Sequence, residues 1–237
     1  MDHPNVLRLV ESYEDIQNVY LVYEFFSPLT VSDLIIQQGP LKEAEAAIII
    51  KDLLALVYYL HSNLIAHRDI KLENILYDPK QKARSIKVHD YGLATKFSLD
   101  KPMTDTVGTA YCIAPEVISG GYGQKCDEWS IGVCMYIILT GNPPFDGESD
   151  MEILQNVKRG KYTLEGSEFE HLSEEAMDLL TKLMTADMSE RIEAEEALKH
   201  PWFEKFENPF AKYSNQIEIE KTLDSLLKFN AGNKMRQ

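Results

Sequence analysis

His67-Arg68-Asp69-Ile70-Lys71-Leu72-Glu73-Asn74 is the stretch on which the reading of this chain turns. A carboxylate follows two basic side chains, an ammonium stands two residues beyond it, and a carboxamide closes the run. On its own such a run is a surface salt-bridge cluster. Its surroundings change that reading. Asp90-Tyr91-Gly92 comes next, at the end of the apolar, strand-forming run Ile86–His89, with a glycine where the chain must turn. Ala114-Pro115-Glu116 closes a stretch of little periodicity that begins at Asp90 and contains Gly108-Thr109-Ala110-Tyr111. Asp127-Glu128-Trp129-Ser130-Ile131-Gly132 opens a run apolar on all sides, Arg191 ends Asp187-Met188-Ser189-Glu190-Arg191, and His200-Pro201-Trp202-Phe203 follows.

In this order the segments resemble the eukaryotic Ser/Thr protein kinases. The first run fits their catalytic loop H-R-D-x-x-x-x-N, and Asp90-Tyr91-Gly92 is similar to their D-F-G with Tyr for Phe. The resemblance implies an α+β protein-kinase-like fold, mainly the helical C-lobe, with ATP and Mg²⁺ as cofactors and a protein substrate. Phosphoryl transfer to a hydroxyl needs an acceptor for its proton and a holder for the metal ion. By resemblance Asp69 orients the hydroxyl and accepts the proton, Lys71 steadies the transferring phosphate, and Asn74 and Asp90 hold Mg²⁺. Tyr23 stands at the gatekeeper position. Glu24 and Phe26 offer backbone groups to the adenine, Leu76 forms its floor, and Glu73 is grouped with them on the nucleotide side. Asp127 anchors the catalytic-loop backbone, Thr109 belongs to the substrate-docking segment, and Arg191 pairs with Glu116. Arg68 is placed to receive a phosphate on Thr104 or Thr106; the alternative is that these threonines are only loop residues. The Ile70–Asn74 pattern favours Ser/Thr over Tyr as acceptor.

Within the family the chain is similar to the calmodulin-dependent and calcium-dependent protein kinases. Val107–Tyr111, Cys126–Val133 and Gly141-Asn142-Pro143-Pro144-Phe145 carry that likeness. The tail Leu223–Gln237 resembles their autoinhibitory junction, with Leu223, Leu226 and Leu227 on one helix face; a terminal helix that merely packs on the body is the alternative. The sequence holds no D-x-[DN]-x-[DN]-G loop, so a calcium sensor would be another chain or a further part of the protein.

The sequence contains no G-x-G-x-x-G-x-V loop, no strand lysine for the phosphates and no partner glutamate for it. It opens at His3-Pro4-Asn5, which in the family precedes the fourth strand. The expectation is a remnant of N-lobe and hinge over 1–26, a C-lobe over 27–206 and an extension over 207–237. An N-lobe so reduced would leave two apolar strands partly uncovered, and it admits a reading as a non-catalytic interaction or scaffold module. Thr30 stands where relatives carry a glutamate that contacts the ribose and often a substrate arginine.

The element pattern agrees with this layout. Val6–Val10 and Val19–Phe25 read as strands, with Ser27-Pro28 as a break. Glu43–His61 reads as a helix, followed by short strands at Ile75–Tyr77 and Ile86–His89 and a long loop from Asp90 to Glu116. Further helices are expected at Trp129–Leu139, Met151–Lys158, Ser173–Met184 and Glu193–His200. Composition narrows the rest: Asp+Glu 38 against Lys+Arg 24 gives a net charge of −14, which disfavours nucleic acid and anionic membranes as partners. Cys112, Cys126 and Cys134 show no paired spacing, and Cys112 reads as a small buried residue. No apolar run is long enough to span a bilayer and no signal peptide is visible, which leaves a cytosolic or nuclear location as the expectation.

Overall fold

The computed structural model describes residues 1–80 and 86–206. In chain order they form β1 (Leu9–Glu14), β2 (Val19–Tyr23), α1 (Val31–Gln38), α2 (Glu43–Ser62), β3 (Ile65–Ala66), β4 (Ile75–Tyr77), β5 (Ile86–Val88), β6 (Thr95–Lys96), α3 (Pro115–Ser119), α4 (Cys126–Thr140), α5 (Asp150–Arg159), α6 (Glu174–Leu183), α7 (Ala194–Ala197) and α8 (Pro201–Glu204). Strands come early and pair locally, while the later body is helical. The arrangement is α+β.

β1 and β2 form an antiparallel ribbon with Leu9 opposite Tyr23 and Glu14 opposite Val19. Its turn is closed by Asp15, whose Oδ1 accepts the Gln17 and Asn18 amides at 2.7 and 2.8 Å. That turn fixes the register and corrects the sequence reading: the first strand is Leu9–Glu14, not Val6–Val10. Val6 belongs elsewhere. It is buried in a parallel bridge with Val88, where Val88 N–H donates to Asn5 O at 2.7 Å and Leu7 N–H to Val88 O at 3.0 Å.

α1 is a helix that the Ser27-Pro28 break had concealed. Thr30 caps it: its Oγ1 accepts Asp33 N–H at 3.1 Å, and the Asp33 carboxylate accepts Thr30 N–H at 2.9 Å. The sequence signal was there, a threonine with an acid three residues on.

α2 and α4 make the core. Along α2, Ile49, Ile50, Leu53, Leu54, Leu56, Val57 and Leu60 have no exposed surface. α4 is buried from Cys126 through Tyr136 and stops at Gly141, which takes the left-handed conformation and donates to Ile137 O at 2.8 Å. Gly132 is where α4 meets α6: a Cβ there would lie 2.6 Å from Met184 Cγ and 3.0 Å from Leu183 Cβ. At the start of α2, the Glu43 carboxylate accepts Ser173 N–H, Ser173 Oγ–H and Trp202 Nε1–H, each at 2.7 Å. One acid thus ties α2 to α6 and α8.

The expected helix Glu193–His200 is shorter and ends in a break. Pro201 cannot continue it but suits the first turn of a new one, and His200 Nδ1 accepts Trp202 N–H at 3.3 Å to cap α8. The Asp90–Glu116 stretch is not wholly loop either, since Thr95–Lys96 pairs with β3. The expected tail helix around Leu223, Leu226 and Leu227 lies outside the described residues. Among the described residues no helix is long and apolar enough to cross a membrane.

Candidate active site

Strain marks the site. Among the described residues three non-glycine residues have positive φ, and two of them are Arg68 (69°) and Asp90 (61°). Such conformations cost about 1–3 kcal/mol each and persist only where neighbours enforce them. Arg68 is enforced by α4: Asp127 Oδ1 accepts Arg68 N–H at 2.8 Å and Asp127 Oδ2 accepts His67 N–H at 2.9 Å. The Arg68 side chain is held as well, with Nε donating to Leu93 O at 2.8 Å. The second loop crosses close by: Gly108, at φ 117°, would place a Cβ 2.9 Å from Arg68 O.

With the backbone fixed, four side chains converge. Asp69 is 8% exposed. Its Oδ1 accepts Thr109 Oγ1–H at 2.7 Å and its Oδ2 accepts Asn74 Nδ2–H at 3.1 Å. The Lys71 ammonium lies 3.1 Å from the same Oδ2 and donates to Thr109 Oγ1 at 2.8 Å. Asn74 Nδ2 also donates to Asp69 O at 3.0 Å, so the carboxamide oxygen is the Asn74 atom turned away from Asp69. Asp90 arrives from the β4–β5 hairpin. His89 N–H donates to Asn74 O at 3.1 Å, and the exposed Asp90 carboxylate accepts Gly92 N–H through Oδ1 at 3.1 Å.

Behind this cluster, His67 is fully buried, and its Nδ1 accepts Asp69 N–H at 3.3 Å. Burial pushes its pKa below the usual imidazole value against the opposing pull of Asp127, Asp69 and Asp90, so it stays neutral with the proton on Nε2. Its ring packs 4.8 Å from Tyr91, whose hydroxyl is buried without a hydrogen-bond partner among the described residues. Burial of the ring, with Tyr23 nearby, raises the Tyr91 pKa.

A protein kinase domain model matches residues 1–203. The chain belongs to the protein kinase family. Its relatives include calcium-dependent protein kinase 3 of Plasmodium berghei (strain Anka), 47% identical over 89% of this chain and 38% of that protein. Calcium-dependent protein kinase 5 of Plasmodium falciparum (isolate 3D7) is 41% identical over 96% and 39% respectively. Calcium-dependent protein kinase 4 of P. berghei is 39% identical over 100% and 45%. The chain therefore spans less than half the length of these curated relatives.

The other kinase positions sort into two groups. Among the positions that the resemblance assigns to the nucleotide, Glu24 N–H donates to Arg8 O at 2.9 Å. The Glu24 carboxylate lies 2.8 Å from Lys87 Nζ; that contact and the Arg8 N–H bond hold it below the usual carboxylate range. Lys87 also sits 5.8 Å from the Phe26 ring, and Leu76 bridges Thr30. Glu73 is engaged elsewhere: it accepts the Tyr111 hydroxyl at 2.6 Å, which joins it to the segment after Thr109.

The second group organises the long loop. The Arg191 side chain has no exposed surface and forks onto Glu116 at 2.5 and 2.9 Å, with further bonds to Lys125 O and Thr185 O. Thr104 and Thr106 are exposed, but the Arg68 guanidinium meets Asp105 Oδ2 at 3.2 Å and Tyr122 Oη at 3.1 Å. The Tyr122 hydroxyl donates in turn to Asp105 O at 2.7 Å. Sequence reasoning missed Asp105, although an acid between the two candidate threonines was the available signal.

Proposed function

We propose that this chain carries the catalytic centre of a Ser/Thr protein kinase, which transfers the ATP γ-phosphate to a hydroxyl of a protein substrate, with 27–206 as the catalytic body. The observation that carries the proposal is the convergence of Asn74, Lys71 and Thr109 on the Asp69 carboxylate. A carboxylate held in one rotamer by three donors accepts a proton only from a donor placed within hydrogen-bond reach, which is the task of a general base towards a hydroxyl. Lys71 stands beside it to meet the transferring phosphate, and Thr109 fixes both groups.

The donor set suits Mg²⁺. That ion takes one or two carboxylates and fills its remaining positions with water and substrate phosphates. The Asn74 carboxamide oxygen and the Asp90 carboxylate are the protein oxygens that would hold it. Bound there, the ion neutralises charge on the phosphate oxygens. The Glu24 carbonyl, the Phe26 backbone and Leu76 would seat the adenine. By likeness to the calcium-dependent protein kinases, control by a calcium sensor on another chain or elsewhere in the protein is part of the proposal.

The test is Mg²⁺-ATP phosphorylation of a Ser/Thr peptide by the full natural protein. Asp69→Asn and Asp90→Asn are each expected to lower kcat by about 10²–10⁴-fold, the usual worth of a positioned acid–base group or of charge stabilisation. Equal rates from wild type and both variants would sink the catalytic reading. The exposure of every residue of the β1–β2 ribbon favours a second reading, a non-catalytic interaction module. The same assay separates the two, because a module of that kind binds its partner without phosphotransfer.

A further inference from the structure

We propose that His61 is a positioning residue for this site, bridging the Asp127 and Glu128 carboxylates as an imidazolium and so holding Asp127 on the backbone of His67 and Arg68. Its kinetic consequence rests on the kinase reading above; its geometry does not.

Two acids stand side by side in the core. Asp127 and Glu128 open α4, and both are essentially without exposed surface. Two buried carboxylates side by side repel, and without a cation one of them would take up a proton. A protonated Asp127 could not accept the loop amides with both oxygens at 2.8 and 2.9 Å as strongly as an ion does. His61, at the end of α2, supplies the cation. Its Nε2 lies 2.9 Å from Asp127 Oδ2 and its Nδ1 lies 3.4 Å from Glu128 Oε1. A neutral imidazole has one nitrogen that only accepts. Either neutral tautomer would therefore aim a lone pair at a carboxylate, so the geometry calls for a proton on both nitrogens.

The neighbouring charges do not replace it. Lys125 is engaged by Glu193 at 3.3 Å and by Arg191 O at 2.9 Å, and Lys199 is engaged by Glu195 at 2.8 Å. Glu193 and Glu195, at the α7 end, line the cavity of about 230 Å³ beside His61 and add negative potential there. Tyr58 lines it from α2, and the Phe97 ring meets the imidazole edge-on at 6.0 Å. Glu128 Oε1 also accepts Ala194 N–H at 3.0 Å, while Oε2 is buried without a hydrogen-bond partner among the described residues, which makes a nearby positive charge more necessary.

The electrostatic surroundings of the two groups act in the same direction. Burial, the largest influence on His61, pushes its pKa down, but the bonds to Asp127 and Glu128 outweigh it and carry the value up to about 10. For Asp127 burial pushes up, and His61 overcomes it to leave the carboxyl below its usual range. The sign follows from a folded value above the unfolded 6.5: the contribution of His61 to stability is full below about pH 6.5 and is lost as pH rises through about 10.

Three measurements on the full natural protein test this. First, the His61 imidazole resonance in wild type is followed by NMR against pH; it is expected to remain in the charged form well above pH 7. Second, His61→Gln is examined by amide hydrogen exchange, and the His67 and Arg68 amides are expected to exchange faster while the amides of α6 do not. Third, His61→Gln is expected to lower kcat by about 10–100-fold with KM for ATP changed about twofold or less, the signature of a displaced base rather than a damaged nucleotide site. An imidazole that titrates below about pH 7, the ordinary range for histidine, overturns the proposal, and it needs no variant. So does a folded His61→Gln protein whose kcat and loop exchange match wild type. If wild type itself transfers no phosphate, the kinase reading fails, while the titration and the exchange still decide the role of His61.

Discussion

The helical body and the β1–β2 ribbon are built from comparably apolar sequence and meet opposite fates. In α2 and α4 nearly every aliphatic side chain is buried, and the few acids among them are each bonded. In the ribbon Leu9, Tyr13, Val19, Tyr20, Leu21 and Val22 are all 42–65% exposed, on both faces. The difference lies in what each element meets. α2 and α4 find each other, α6 and α8 within the chain, whereas a two-stranded ribbon has no second layer and is marginal alone. Apolarity therefore does not locate the core; a partner surface does. The candidate site hangs on the body: Asp127 of α4 holds the backbone of His67 and Arg68, and His89, at the end of the β4–β5 hairpin, bonds Asn74 O.

That comparison can be broken or sharpened. The largest effect is expected at the body's buried ion pair. Arg191→Ala leaves Glu116 without its cation and the Lys125 and Thr185 carbonyls without this donor, at a cost of about 3–5 kcal/mol in urea unfolding. A loss under about 1 kcal/mol would mean that the body is not what holds the long loop's end. Next comes Gly132→Ala, where the new methyl meets Met184 and Leu183 at 2.6 and 3.0 Å. It is expected to cost about 1–3 kcal/mol by overpacking α4 against α6. The smallest effect is expected on the ribbon: Val22→Ser or Tyr13→Ser should change stability by about 0.5 kcal/mol or less. A ribbon substitution as costly as Gly132→Ala would show that something covers those faces.

Much of the site was legible in the order of short motifs, because each chemical task demands a residue type: a carboxylate, an ammonium, a carboxamide and a second carboxylate after a strand. Asp69, Lys71, Asn74 and Asp90 were named by the likeness of their motifs to the kinase pattern; the structure brings Asp69, Lys71 and Asn74 into contact and bonds His89, the neighbour of Asp90, to Asn74 O. The long helices were legible from three- and four-residue apolar spacing. Other features were not. The first strand was misplaced because Val6 looks like a strand residue wherever it pairs, and only the Asp15 turn decides the register. α1 was hidden because Ser27-Pro28 signals a break and the cap at Thr30 is a short-range bond that outweighs it. Glu73 was grouped with the nucleotide side, and its bond to the Tyr111 hydroxyl is visible only in the structure, as are the Arg68 partners Asp105 and Tyr122.

The sequence by itself determined the family, the helical body and the list of candidate site residues, since these depend on local pattern and on residue chemistry. Only the tertiary structure decided which groups are charged and how they are aimed. His61 and His67 are both histidines beside the same aspartate, six positions apart in the chain. One is driven to a cation by two carboxylates facing its nitrogens, and the other is kept neutral by burial. Ionisation and orientation follow from distances across the fold, and those distances are set by residues far away in the chain.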